Sequence, residues 1–126
     1  MKLKYWMAAK AIVEVIFGIG FVLLPVALGS LFGMILDPGG ALMGQLFGVA
    51  FIFGSIVLWL ARNLTESDVA ARAIIIAVVV SNTIGFIVTL IASLSGVWNA
   101  LGWLPVALYL VFGLAFAYFL FFKRTS

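Results

Sequence analysis

Four apolar stretches, each long enough to cross a lipid bilayer, constrain the fold of this 126-residue chain more than any other feature. A membrane-spanning helix needs about 20 mostly apolar residues, because the hydrocarbon core is about 30 Å thick. Hydrophobic residues make up 67% of the chain and charged residues only 9%, which leaves too little polar surface for a water-soluble domain. We therefore predict one all-α domain, a transmembrane four-helix bundle. Its predicted spans are residues 6–28, 41–61, 69–94 and 102–122.

Polar and turn-forming residues mark the breaks between these spans. The segment DPGG at residues 37–40 is typical of a turn, because proline and glycine occupy its central positions. The most polar loop is NLTESD at residues 63–68, where Thr65 or Ser67 is predicted to cap the third span. Asn99 is predicted to cap the fourth.

The segment after the first span is predicted to contain a further short helix. Pro25 suits the first turn of a helix, since its missing N–H would have no partner there. The apolar residues that follow recur at the i, i+3, i+4, i+7 spacing of one helical face. They are Leu28, Leu31, Phe32 and Ile35. We predict a helix over residues 26–36 that lies at the membrane interface.

The basic residues all fall on one side of a four-span chain. They are Lys2, Lys4, Lys10, Arg62, Arg72, Lys123 and Arg124. Because cytoplasmic segments of membrane proteins carry an excess of lysine and arginine, both termini and the middle loop are predicted to be cytoplasmic. The expected location is the cell (inner or plasma) membrane. The formal charge of +3 is interpreted as this topology signal, and nucleic acid is not an expected partner.

Small residues recur at four-residue spacing on two spans. This spacing lets membrane helices approach closely, which matters because lipid tails are as apolar as leucine and provide no hydrophobic drive for association. Helix packing is therefore assigned to Gly40, Gly44 and Gly48 in the second span and to Ala73, Ala77, Ser81 and Gly85 in the third. We expect packing within the chain. The alternative is a dimer interface, for which the glycines of the second span are the better candidate.

Glu14 places a carboxylate inside the apolar run AIVEVIFGIG. At 1.5 Å per residue it lies about 12 Å deeper in the membrane than Trp6. Ionisable residues at such depth are costly and commonly functional. Lys10 lies one helical turn earlier and can meet Glu14 along the helix. Two interpretations stay open, namely a structural pair or neutral hydrogen-bonded acid, and a proton or substrate site.

Other polar residues at membrane depth can complete a layer around Glu14. Asn82 lies near the middle of the third span with Ser81 beside it, and Ser55 and Tyr109 lie within the second and fourth spans. The alternative role for each is an interhelical hydrogen bond worth about 1–2 kcal/mol or less. The candidate proton or ligand site consists of Lys10, Glu14, Ser55, Ser81, Asn82 and Tyr109.

The residue types that are missing from the sequence exclude several kinds of catalytic and metal-binding site. The chain has no cysteine and no histidine, and only four acidic residues. Thiol chemistry, a cysteine-ligated metal and the usual neutral-pH general base are therefore excluded. We expect no catalytic residue, no metal site and no cofactor.

Three motifs resemble small four-span bacterial and archaeal membrane proteins of unknown function. They are LPVALGSLFG, GALMGQLFGVAFIFGSIVLWLAR and SGVWNALGWLPVALY, and together they cover most of the chain. The resemblance implies a fold and supplies no catalytic residues. AIVEVI in the first of four spans is also similar to the small multidrug resistance transporters, whose glutamate binds protons and cationic substrates alternately. The aromatic cage and Gly-rich third-helix signature of that family have no match here.

These observations lead to two hypotheses of function. The first is a non-catalytic membrane protein that binds a lipid, an apolar small molecule or partner membrane helices, as an accessory or scaffold protein. Its expected partners are the bilayer and a homo-oligomer or larger membrane complex. The alternative is a small proton-coupled transporter that uses Glu14. An enzyme is not expected, because Glu14 has no nucleophile or metal partner in the sequence pattern.

Overall fold

The chain folds into five α-helices within residues 2–122, the part that the computed structural model describes. The helices are α1 (Leu3–Leu23), α2 (Pro25–Leu31), α3 (Pro38–Ala61), α4 (Val69–Leu94) and α5 (Trp103–Phe121), with a 3-10 turn (Ala100–Gly102) before α5. No strand occurs in this part of the chain. The prediction of an all-α four-helix bundle is confirmed. Lys123 and Arg124, which entered the topology prediction, lie outside the described residues.

Four helices in the described part are long and apolar enough to cross a membrane, namely α1, α3, α4 and the segment Ala100–Phe121. Large apolar side chains cover their outer surfaces, and Phe53 on α3 and Leu114 on α5 are 70% and 64% exposed. Soluble monomers rarely expose apolar surface on this scale. The fold is therefore compatible with a multi-pass integral membrane protein.

The bundle consists of two helix pairs, α1 with α3 and α4 with α5. The first pair crosses where Gly18 meets Gly48. A Cβ added at Gly48 would lie 2.6 Å from the carbonyl oxygen of Gly18, and one added at Gly18 would lie 3.0 Å from the carbonyl oxygen of Gly48. Only glycine permits this contact between two backbones. Gly44, one turn away, also faces inward, toward Pro25 and Phe21.

The small residues of α4 do not share one buried face. Ala73, Ala77 and Ser81 are exposed, whereas Gly85 packs against the ring of Tyr109. Close packing within the chain, which the spacing predicted for all of them, is wrong for the first three. A helix has 3.6 residues per turn, so each four-residue step rotates the position by about 40°. The series therefore turns from the outer surface of the bundle toward α5 as α4 proceeds.

The main cluster of buried apolar side chains lies at one end of the bundle. We call this end the basic end, because Lys2, Lys4, Arg62 and Arg72 lie there. The buried cluster at this end contains Leu3, Met7, Ala11, Leu58, Ala61, Ile75, Val78, Phe112, Phe116 and Phe119. All four long helices contribute to it. The two helix pairs are thus held together at the basic end, and space between them remains toward the opposite end.

The short helix after α1 is shorter than predicted, covering Pro25–Leu31 instead of residues 26–36. Gly33 ends it with φ +77°, and the N–H groups of Gly33 and Met34 donate to the carbonyls of Ser30 and Gly29 at 3.0 and 2.9 Å. This is a Schellman C-cap, which needs a residue with positive φ. The prediction that Phe32 and Ile35 share one apolar helical face is wrong as well, because Phe32 is buried whereas Ile35 is 99% exposed.

Helix starts differ from the prediction in detail. Asp37 caps α3 by accepting a 2.6 Å hydrogen bond from the Gly40 N–H, so the predicted turn at residues 37–40 is the first turn of a helix. Thr65 and Ser67 do not cap α4. Asp68 precedes α4, and its carboxylate instead accepts a 2.8 Å hydrogen bond from the Thr65 N–H.

At the end opposite the basic end, Asn99 joins the segment before α5 to the end of α2. Its side-chain oxygen caps the 3-10 turn by accepting from the Leu101 N–H at 3.0 Å, whereas the prediction placed this cap on the fourth long helix, which begins after Gly102 without a side-chain cap. Its amide nitrogen donates to the carbonyl of Leu31 at 3.0 Å, and its backbone N–H donates to that of Phe32 at 2.8 Å. The Phe32 ring lies 5.5 Å from that of Trp98. These contacts close the bundle at this end.

Candidate functional site

A cavity of about 470 Å³ lies between the two helix pairs, above the tightly packed basic end. Its volume falls within the range of about 300–1,000 Å³ that is typical of small-molecule sites. The aromatic side chains of its walls are Phe17, Phe21, Phe47, Phe51 and Tyr109. Phe32 and Trp98 cover the cavity at the end opposite the basic end. We call Lys10, Glu14 and Phe112, which line it toward the basic end, the floor.

The aromatic walls arise from helical spacing on two helices in contact. Phe17 and Phe21 are four residues apart on α1, as Phe47 and Phe51 are on α3, so each pair shares a face. The Phe21 and Phe47 rings lie 5.3 Å apart, and those of Phe47 and Phe51 lie 4.3 Å apart. The sequence prediction missed these residues. Their i, i+4 repetition was the available signal, but any apolar span contains such repeats.

Lys10 extends from α1 toward α4. Its ammonium donates a 3.2 Å hydrogen bond to Oδ1 of Asn82 and lies 5.3 Å from the centre of the Phe112 ring. Lys10 and Asn82 are 8% and 1% exposed. A cation over an aromatic face is attracted by the quadrupole of the ring. The ammonium is thus stabilised by an amide and a ring, and the bond to Asn82 connects the two helix pairs.

Glu14 lines the same floor without joining this hydrogen bond. Its Oε1 lies against α3, where a Cβ added at Gly54 would be 2.9 Å away. Its Oε2 is buried and accepts no hydrogen bond from any residue in 2–122. The predicted structural pair would have directed Lys10 to Glu14, yet the hydrogen bond of Lys10 goes to Asn82. The Glu14 side chain therefore lines the cavity with one carboxylate oxygen buried and unpaired.

Tyr109 and Ser81 also line the cavity, from α5 and α4. Tyr109 packs flat against Gly85, where an added Cβ would lie 2.5 Å from the ring. The Ser81 hydroxyl donates to the carbonyl of Val78 on its own helix at 3.3 Å. It therefore satisfies its donor locally and does not extend a polar layer across the bundle.

Ser55 lies apart from the other candidate residues. Its hydroxyl donates a 2.6 Å hydrogen bond to the carbonyl of Ala11, which joins α3 to α1. It borders a second, shallower groove of about 290 Å³ that does not include Glu14 or Lys10. The predicted layer thus reduces to Lys10, Glu14, Ser81 and Tyr109 around one cavity, with Asn82 attached through Lys10.

The cavity is not fully enclosed by the bundle. Several of its lining residues are also exposed on the outside, namely Phe47, Ile84, Val88 and Val97. The polar floor lies at the inner end of this opening. A molecule could therefore enter from the bilayer with its apolar part against the aromatic walls and a polar group directed at Lys10 and Glu14.

No protein-family model, curated protein or solved structure matches the chain. The resemblance to small four-span membrane proteins therefore stays a prediction. The geometry of the cavity is therefore the feature that bears on function, because a fold by itself does not determine activity.

Proposed function

We propose that this is a non-catalytic integral membrane protein that binds a lipid-like apolar molecule in the cavity between its helix pairs. The observation that supports the proposal is a cavity with aromatic walls, partial openness to the surface and a polar floor. Sites of this composition, mostly apolar with a few polar groups, are typical of small-molecule binding. Residues of all four long helices line it, so occupancy can be sensed by the whole bundle.

The polar floor is needed for selective binding from a membrane. A lipid tail is as apolar as the cavity walls, so apolar surface alone does not extract a molecule from the bilayer. Hydrogen bonds and charge at the floor can distinguish the ligand from bulk lipid, because they act where little water competes. Lys10 and Glu14 are the groups placed to do so.

The proposal includes a location and a class of partner. The basic residues at one end of the bundle support cytoplasmic termini in a cell (inner or plasma) membrane. The exposed small residues Ala73 and Ala77 on α4 leave a face on which a second copy or another membrane protein can pack. In this proposal the protein acts as an accessory or scaffold subunit that responds to its bound lipid. Catalysis and nucleic-acid binding form no part of it.

Filling the cavity is the direct test of binding. Ala92 lines the cavity, whereas Ala50 is exposed on α3 and does not. We expect Ala92→Phe to reduce the amount of apolar molecule retained after mild purification by about tenfold or more, since a loss of 1.4 kcal/mol suffices. The matched Ala50→Phe should retain as much as wild type. Native mass spectrometry measures the bound mass, and equal retention by both variants would contradict the proposal.

A proton-coupled transporter is the second candidate, favoured by the Oε2 atom of Glu14, which is buried beside the cavity. Transport would use this carboxylate as the proton-binding group. Glu14→Gln should then abolish substrate flux driven by a pH jump in proteoliposomes, because the amide cannot bind and release the proton. Glu66→Gln, the same change in the loop before α4, should leave flux intact. Identical flux in wild type and Glu14→Gln would exclude this candidate.

A further inference from the structure

The floor of the cavity carries one group of each charge. Lys10 and Glu14 both line it, one turn apart on α1, and their formal charges cancel. A carboxylate head group placed at this floor would face Glu14, and an ammonium head group would face Lys10. Each charged head group would be attracted by one residue and repelled by the other, so the floor provides no net charge to offset the cost of desolvating that head group. The pair therefore discriminates against charged ligands of both signs.

The floor also offers both kinds of hydrogen-bonding capacity. The Glu14 carboxylate is an acceptor that lines the floor, and its buried oxygen Oε2 accepts no hydrogen bond within the described chain. The ammonium of Lys10 has three donors, and one of them bonds Asn82. A hydroxyl group both donates and accepts, so it can satisfy these two side chains together. A hydrocarbon would leave them unpaired, and sites with buried polar groups reject analogues that lack the matching hydroxyl.

From this arrangement we propose that the cavity selects neutral amphiphiles with a hydroxyl head group and a hydrocarbon body. The hydroxyl lies between Glu14 and Lys10, and the hydrocarbon lies along the phenylalanines of α1 and α3. This inference rests on the proposed function and names its ligand class. It excludes cationic and anionic amphiphiles as the preferred ligands of the cavity.

Four probes that share one hydrocarbon chain and differ only in the head group test the head-group preference of the cavity. The full-length protein in phosphatidylcholine nanodiscs is equilibrated with octadecanol, octadecanoic acid, octadecylamine or octadecane, and bound probe is measured by native mass spectrometry. We expect octadecanol to be retained about tenfold more than each of the others. Preference for the acid or the amine would overturn the inference, as would equal retention of all four.

Two variants should shift this preference in opposite directions. Glu14→Gln keeps the shape and leaves Lys10 as the single charge, so preference should move from octadecanol to the acid. Lys10→Met leaves Glu14 alone, and preference should move to the amine. Glu66→Gln, which changes the net charge equally but away from the cavity, should keep the wild-type order. An unchanged order in Glu14→Gln would overturn the inference even if Lys10→Met does not fold.

The same measurement separates failure of the inference from failure of the proposed function. If probes bind without head-group preference, and Ala92→Phe abolishes that binding, the cavity is a lipid site and only the head-group inference is wrong. If wild type retains none of the probes and no native molecule, both fail.

Discussion

Gly48→Ala is expected to lower the free energy of unfolding by about 1–3 kcal/mol, the usual cost of overpacking a well-packed contact. The added Cβ would lie 2.6 Å from the carbonyl oxygen of Gly18. A backbone oxygen cannot rotate away as a side chain can, so α1 and α3 would have to separate. Reversible unfolding in mixed micelles, followed by circular dichroism, measures the change.

Gly44→Ala is the matched control for this substitution. It lies one turn earlier on the same stripe, and its added Cβ would meet the nearest atom, Cβ of Pro25, at an ordinary 3.5 Å. Alanine also favours a helix over glycine by up to about 1 kcal/mol. Gly44→Ala should therefore be neutral or stabilising. Equal destabilisation by both substitutions would show that the Gly18–Gly48 crossing does not determine the stability of the helix pair.

Lys10→Met is expected to destabilise the bundle by about 1–3 kcal/mol, the penalty for leaving a buried polar group unsatisfied. The substitution keeps the apolar stem of the side chain but removes the hydrogen bond that Oδ1 of Asn82 accepts at 3.2 Å. Asn82 is 1% exposed, so water does not replace that bond. Lys4→Met, the same change at an exposed position of α1, should alter stability by no more than about 0.5 kcal/mol.

A double-mutant cycle isolates the contact between Lys10 and Asn82. If the hydrogen bond is the cause, Lys10→Met combined with Asn82→Leu should cost less than the sum of the single changes, by about 0.5–3 kcal/mol. Both partners are then replaced by apolar groups, and neither is left unpaired. Additivity within about 0.5 kcal/mol would show that the two residues act independently.

The link between Lys10 and Asn82 changes how Glu14 is interpreted. An ion pair between Lys10 and Glu14 along α1 would have given both residues a structural role within that one helix. Instead Lys10 connects α1 to α4, and Glu14 stays beside it on the cavity floor with Oε2 accepting no hydrogen bond in the described chain. Glu14 therefore lines the cavity with one buried carboxylate oxygen unpaired, and Lys10 has both a structural contact across the bundle and a place on the cavity floor.

The positions of the membrane helices could be predicted closely from the sequence. The third predicted span, residues 69–94, has the bounds of α4, Val69–Leu94, and the second ends with α3 at Ala61. Such bounds depend on local properties, namely apolar length and the capping groups at the ends. The early end of α1 at Leu23 was missed, because the apolar run continues through Pro25 into α2.

The candidate site was only partly predictable. Lys10, Glu14 and Tyr109 were identified because polar groups are rare at membrane depth, and they do line the cavity. The partner of Lys10 and the aromatic walls were not identified, since both depend on which helix faces which. For soluble proteins the apolar face of a helix indicates its buried side. Here apolar residues face lipid as well as protein, so α5 is apolar all round and its sequence does not indicate a buried side.

The sequence by itself therefore determined the number of long apolar helices and most of their bounds, because apolar length and capping groups act locally along the chain. The tertiary structure decided the rest. It paired α1 with α3 through the glycine contact, directed Lys10 across to Asn82 and left a cavity where the two pairs diverge. The physical reason is that packing between helices, and not hydrophobicity, selects the faces that meet inside a membrane.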